Sequence, residues 1–263
     1  MPLKTALVAA VVAALVTAAT ILVIWRLAPG VVDAPSAALD EKRVVDIVHD
    51  YLTENPEILV EMTTELDKRQ AANQAEQQGL VIGENADTIF RSPHSFTAGN
   101  PDGDVSVVEF FDYNCGFCRR ALPEIVKLIE SDDKVRVVFK ELPIFGEESE
   151  DAAKGALAAG KQGKYFEMHQ KLYSETGKAS KEKALKIAQE LGLDVPQFEK
   201  DMASPEVQQA LDEARGLAEK LGVQGTPFYL IGDRNVPGAP DDLYDQLTAK
   251  VAEVRKQGCK AKC

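Results

Sequence analysis

Cys115 and Cys118 stand at the seam between an apolar run and an amphipathic one, and this seam restricts the fold more than any other feature of the chain. Upstream, residues 105–111 are all Val or Phe except Ser106 and Glu109, and the turn sequence Asn100-Pro101-Asp102-Gly103 precedes them. That is the pattern of a strand buried on both faces. Downstream, Ala121, Leu122, Ile125, Val126 and Ile129 recur at helical spacing, and residues 135–139 give a second apolar strand. Strand, helix and strand in this order make the crossover unit of an α/β sheet. From 147 to 221 the periodicity is helical, broken near 160–164, 176–180, 192–196 and at Ser204-Pro205. Residues 228–231 then form a short strand entered through Thr226-Pro227, and a last helix carries Leu243, Leu247, Val251 and Val254. The expectation is an α/β domain over residues 81–257 with a helical insertion at 147–221.

No charged residue occurs between Lys4 and Arg26. As a helix this stretch would be about 30 Å long, the thickness of a bilayer's hydrocarbon core. Its apolar run over 5–25 exceeds a secretory signal's core of roughly 7 to 15 residues. A transmembrane anchor over residues 1–26 is therefore expected. The alternative is a cleaved signal and a soluble product; either exports the remainder. Residues 27–38, with Pro29, Gly30 and Pro35, read as a linker.

Residues 39–80 read as a helical arm. Val44, Ile47, Val48, Tyr51 and Leu52 mark its first helix. Asn55-Pro56 is expected to cap a second, striped by Ile58, Leu59, Met62 and Leu66. Its Gln-rich continuation, 70–78, is expected to fray or project into solvent. Two apolar stripes exceed what a short extension needs, so the arm is expected to self-associate into a homo-oligomer. Packing on the chain's own domain is the competing reading.

The net charge of -12 excludes nonspecific nucleic-acid binding, which needs basic clusters. Four cysteines are too few to scaffold 263 residues, so their work is local. Cys115 falls at a helix N-terminus, where unpaired N–H groups and the helix dipole favour a thiolate. Cys118, one turn on, can resolve a mixed disulfide. Half a zinc site and an inert bridge are the alternatives, but zinc needs four ligands and so short a loop removes little chain entropy. Glu109, within the buried run, either serves the resolving thiol as a proton acceptor or turns to water or pairs with Lys140. Cys259 and Cys263, in the tail 258–263, suit a small disulfide or a soft metal such as Cu(I). His49, His94 and His169 read as surface or satisfied core positions, and no metal site is expected.

Residues 99–120, with Cys115-Gly116-Phe117-Cys118-Arg119-Arg120 at their end, resemble the bacterial DsbA-type thioredoxin-fold thiol-disulfide oxidoreductases, closest to their ScsC branch. The likeness continues through 140–146 and 222–227, and the step Asn55-Pro56-Glu57 of the arm is similar to that branch. The resemblance implies a thioredoxin fold with a helical insertion, Cys115 as nucleophile and Cys118 as resolving thiol. It also implies an acidic residue at Glu109 and a substrate-binding loop at Thr226-Pro227 with Pro227 cis. By the same resemblance the activity is oxidation or reshuffling of disulfides in exported proteins, with no cofactor beyond the cysteines. The implied location is the periplasmic side of a bacterial inner membrane or, after signal cleavage, the soluble periplasm. A membrane redox partner would reoxidise or reduce the pair, and copper sequestration is the rival function. Phe117 departs from the histidine of the family's strongest oxidants, which implies a less oxidising couple.

Overall fold

The computed structural model describes residues 15–23 and 40–259. Residues 15–23 are helical and exposed. Among the described residues no helix is long and apolar enough to cross a membrane, so the anchor expected over 1–26 is not found there. Most of that stretch, the linker 27–38 and the last four residues of the tail lie outside the described residues. The chain divides into two units, Met1–Lys68 and Arg69–Cys263.

The first unit holds α1 (Glu41–Glu54) and the start of α2 (Glu57–Glu84). Asn55 does not cap α2 as expected. Its backbone N–H and its side-chain amide both donate to the Tyr51 carbonyl, at 3.0 and 2.8 Å, so it closes α1 instead. Pro56, without an N–H, cannot extend that ladder. Val45, Ile47, Val48 and Tyr51 of α1 and Leu59, Val60, Met62 and Leu66 of α2 are exposed.

In the second unit α2 continues unbroken through the Gln-rich stretch, whose residues 70–77 are exposed, so of the two expectations it projects into solvent and does not fray. Ile82 is buried, and Gln78 donates to the Leu221 carbonyl (3.2 Å) and accepts from Asn235 (2.5 Å). A short α3 (Ala86–Arg91) leads to a five-stranded sheet ordered β1-β3-β2-β4-β5. Its strands are β1 (Phe96–Gly99), β2 (Val105–Phe111), β3 (Val135–Glu141), β4 (Phe228–Ile231) and β5 (Arg234–Pro237). β2 and β3 run parallel, joined by α4 (Gly116–Ser131), and the other neighbours are antiparallel. The edge strands β1 and β5 were not foreseen, because four half-exposed residues carry no readable period.

Side chains alternate across β2. Val105, Val107 and Phe111 enter the core shared with α4 and α10 (Leu243–Gln257), while Val108 and Phe110 enter a smaller core with α3. Between β3 and β4 stand α5 (Glu147–Lys161), α6 (Tyr165–Ser174), α7 (Lys181–Glu190), α8 (Val195–Met202) and α9 (Pro205–Leu221). Ser180, Asp194 and Ser204 start the last three of these, each side chain accepting a backbone N–H of the first turn.

Candidate active site

The end of β2 is turned into α4 by Asp112 and Asn114. Asp112 Oδ1 accepts from the Asn114 N–H (2.7 Å) and the Ser149 hydroxyl (2.9 Å). Its Oδ2 accepts from the N–H groups of Ile144 (2.7 Å) and Phe145 (3.1 Å). The Asn114 amide donates to Ser149 Oγ and the Ala179 carbonyl and accepts from the Ala179 N–H. The turn is thus laced to the helical insertion and to the loop before it. Sequence reasoning missed both residues. The available signal was two side chains that readily bond nearby backbone, placed immediately ahead of a helix start.

This lacing leaves Cys115 as the N-cap of α4, its sulfur 3.4 Å from the Cys118 amide nitrogen. Both cysteines are buried free thiols. A hydrogen bond from the Cys118 thiol holds Cys115 down to about 6, against the opposing effect of burial and with the Thr226 side chain, then the Cys118 and Phe117 amides, assisting. Burial, and then the bond it gives to Cys115, push the Cys118 thiol far above its ordinary range. Two sulfurs one helical turn apart are driven in opposite directions.

The Thr226–Pro227 peptide bond is cis, and the Cys115 thiol donates to the Thr226 carbonyl at 3.2 Å. Thr226 Oγ1 is buried without a hydrogen-bond partner. Glu109 is buried and accepts from the Tyr229 hydroxyl at 3.1 Å. Burial raises its carboxyl to about 8, the Tyr229 bond opposes this, and charge on Cys115 adds to it. The alternative pairing with Lys140 does not form. Lys140 lies opposite Phe110 in the register, and its Nζ donates to the Thr88 carbonyl and to Glu213, both at 2.7 Å. The structure therefore brings Cys115, Cys118 and the Thr226-Pro227 loop together, with Glu109 acting on the charge of both sulfurs.

Three apolar side chains of this region reach the surface. Phe117, Ile144 and Phe145 are each about half exposed. The Arg120 guanidinium lies 4.8 Å from the Phe117 ring centre and donates to the Ala239 carbonyl at 3.0 Å. A groove of about 980 Å³ runs from Phe117 along the Thr226-Pro227 loop.

A second buried polar cluster was not foreseen. Tyr165 and Tyr113 both donate to Glu141 Oε1, at 2.6 and 3.2 Å, and the Tyr113 hydroxyl lies 3.0 Å from His169 Nδ1. Burial lifts Glu141 well above its ordinary value and lowers His169 to about 3. Glu141 Oε2 and His169 Nε2 have no partner, so His169 is not the fully satisfied core residue expected. In the tail Cys259 is disulfide-bonded, and Cys263 lies outside the described residues. Among the described residues no group of three or more His, Cys, Asp or Glu side chains is placed to hold a metal.

Comparison with known proteins gives two family matches. The DSBA-like thioredoxin domain matches residues 106–249, and the copper resistance protein ScsC N-terminal domain matches residues 40–73. A thioredoxin-like oxidoreductase from Silicibacter pomeroyi DSS-3 is 46% identical, with 65% of this chain and 98% of that one covered and a TM-score of 0.63. ScsC of Proteus mirabilis in a compact conformation is 32% identical, with 84% and 100% covered and a TM-score of 0.60. The Na(+)/H(+) antiporter NhaA 1 of Salinispora arenicola is 30% identical over 143 residues, 54% of this chain, but the chain spans only 22% of that protein's length.

Proposed function

Because this chain belongs to the family of DSBA-like thioredoxin domains, we propose that it exchanges disulfides with cysteine-bearing exported proteins through Cys115 and Cys118. The observation that carries the reading is the opposite displacement of the two thiols, with Cys115 held down to about 6 and Cys118 pushed up behind it.

In the reducing direction the Cys115 thiolate attacks a client disulfide. One client sulfur becomes bonded to Cys115, and the other leaves as a thiolate and takes a proton. Cys118 then loses its proton to the Glu109 carboxylate and attacks the Cys115 sulfur. A Cys115–Cys118 disulfide forms, and the released client thiolate is protonated. Oxidation of a client is the same path reversed. Glu109 suits the proton step because a carboxyl near 8 is populated in both forms close to neutral pH. The Thr226-Pro227 loop aligns the incoming chain, and Phe117, Ile144 and Phe145 give it an apolar landing surface.

Of the two roles open to such a pair, oxidase and isomerase, we infer isomerase. The exposed stripes of α1 and α2 would be covered by self-association of the arm, which would bring several catalytic units to one client. A membrane reductant must then keep the pair reduced. The proposed location is the periplasmic side of the inner membrane, with tethering through residues 1–26 resting on the sequence alone. Copper binding by the tail finds no support, since a disulfide-bonded Cys259 has no thiolate to offer.

Alkylation of intact cells before lysis tests the role. A mostly reduced Cys115–Cys118 pair is expected, whereas a mostly oxidised pair would make the protein an oxidase. Failure of the purified protein to equilibrate with glutathione would remove the activity altogether.

A further inference from the structure

The groove beside Cys115 has one wall that the catalytic domain's own loops do not supply. One side is formed by residues around Thr226-Pro227 and by the loop at Gly238, and the other by Ala71, Gln74, Ala75 and Gln78 of α2. Those four positions fall at i, i+3, i+4 and i+7, a single face of the helix. On an ordinary packed helix this face would be large and apolar. Here it alternates alanine with glutamine, which keeps the groove wide and supplies amides that both donate and accept hydrogen bonds.

The two glutamines are not equivalent. Gln78 is buried and fixed between the Leu221 carbonyl and Asn235. Gln74, one turn earlier, is exposed. Among the described residues lining the groove none is Asp, Glu, Lys, Arg or His, although 27% of the chain is Asp, Glu, Lys or Arg. The Arg120 guanidinium borders the groove at its Phe117 end, over that ring and bonded to the Ala239 carbonyl, and the wall formed by α2 is uncharged. What remains for recognition is what every polypeptide offers, main-chain amides and apolar side chains. At about 980 Å³ the groove lies at the upper end of small-ligand pockets, and an extended chain advances only about 3.3 Å per residue. Several residues flanking a client cysteine fit along it.

We propose that residues 71–78 of α2 are a client-binding wall, and that Gln74 contacts the main chain of an extended, cysteine-bearing client segment without regard to that segment's charge. The proposal rests on the disulfide-exchange reading above and adds a specificity element drawn from the arm helix. Gln74 is a positioning residue, remote in sequence from the chemistry and joined to it by the groove that ends at Thr226 and Phe117.

The test uses the full-length protein in detergent and two peptides, each carrying one cysteine as a mixed disulfide with glutathione. Lysines flank the cysteine in one peptide and glutamates in the other. The reduced wild-type protein should reduce the two at rates within about twofold of each other, since no lining charge distinguishes them. Gln74→Glu should favour the lysine peptide about fivefold, and Gln74→Lys the glutamate peptide by a similar factor. Ala75→Trp, which narrows the groove, should slow both peptides relative to glutathione disulfide. Unchanged peptide preference in both charge variants overturns the proposal. So does a change in mass by light scattering without a change in preference, which would assign the groove to a second copy of the chain. A wild-type protein inactive on every disulfide would instead sink the oxidoreductase reading.

Discussion

Glu109 and Glu141 lie on neighbouring parallel strands, point to the same face of the sheet and are both buried, yet their surroundings differ. Glu109 has one donor, Tyr229, and its charge is felt by both sulfurs. Glu141 has two donors, Tyr113 and Tyr165, and neighbours His169, whose ring packs edge-on to Phe111 at 5.0 Å and stacked with Phe166 at 6.0 Å. Burial raises both carboxyls. On the proposed mechanism a perturbed carboxyl serves chemistry only where a reacting atom feels it; sealed among rings, the same group organises a core.

The largest effects should fall at the sulfurs. Cys115→Ala should abolish exchange, and Cys118→Ala should accumulate mixed disulfides with clients, because attack survives and resolution does not. Alkylation of the reduced wild type should modify Cys115 first, its rate rising through about pH 6 and then levelling. Preferential labelling of Cys118 would reverse the two roles.

Next comes the contrast between the carboxyls. Glu109→Gln should slow release of the client from the mixed disulfide about 100-fold at neutral pH, the low end for loss of a proton acceptor. In wild type that rate should climb as Glu109 ionises near pH 8, and the variant should lose this limb. Glu141→Gln should leave both the rate and its pH profile alone. Stopped-flow measurement of both variants decides whether the two sites are as separate as drawn. Equal slowing would show one coupled network.

Stability should order the two sites the other way. Glu141→Leu strands two buried tyrosine hydroxyls and should lose about 2 kcal/mol or more in urea unfolding, while Glu141→Gln keeps an acceptor and should lose less than about 1 kcal/mol. The pH dependence has a definite sign. A carboxyl raised in the folded state stabilises it most below the ordinary value of 4.5 and loses that contribution as pH rises through the folded value. Glu141→Gln, having no such titration, should therefore gain on wild type as pH increases. A constant difference from pH 5 to 9 would mean that Glu141 is not raised.

How legible each site was follows from how its residues are distributed. The β2–α4–β3 unit and the breaks within the insertion were readable because each spans enough residues to show a period. The cysteine pair and Thr226-Pro227 were readable as short motifs. Glu109 stood out as a charge in an apolar run. Tyr113, Glu141, Tyr165 and His169 come from three segments far apart in sequence, and none looks unusual until the fold gathers them. Asn55 misled because an Asn-Pro step suits the end of one helix as well as the start of the next, and the choice is made by where its amide turns. The groove wall on α2 escaped because its glutamines read as solvent-facing polarity.

The last effect, and the one that most sharpens the picture of the reactive side, concerns Thr226. Its hydroxyl is buried without a partner while its carbonyl accepts from the Cys115 thiol. Once that thiol ionises it has no proton to give the carbonyl, and a thiolate is a strong acceptor facing an uncommitted hydroxyl. Bonding between the two stabilises the reduced pair and makes the couple more oxidising. Thr226→Val keeps the shape and removes the donor, so the pair should become less oxidising. For a bond worth about 1.4 kcal/mol the shift is about 30 mV. Equilibration of wild type and variant in graded glutathione buffers measures it. Client turnover should move with it, because the same loop aligns the peptide. Unchanged potential and turnover would mean that the hydroxyl does not reach the sulfur, leaving the helix N-terminus and Cys118 as the groups that hold Cys115 ionised.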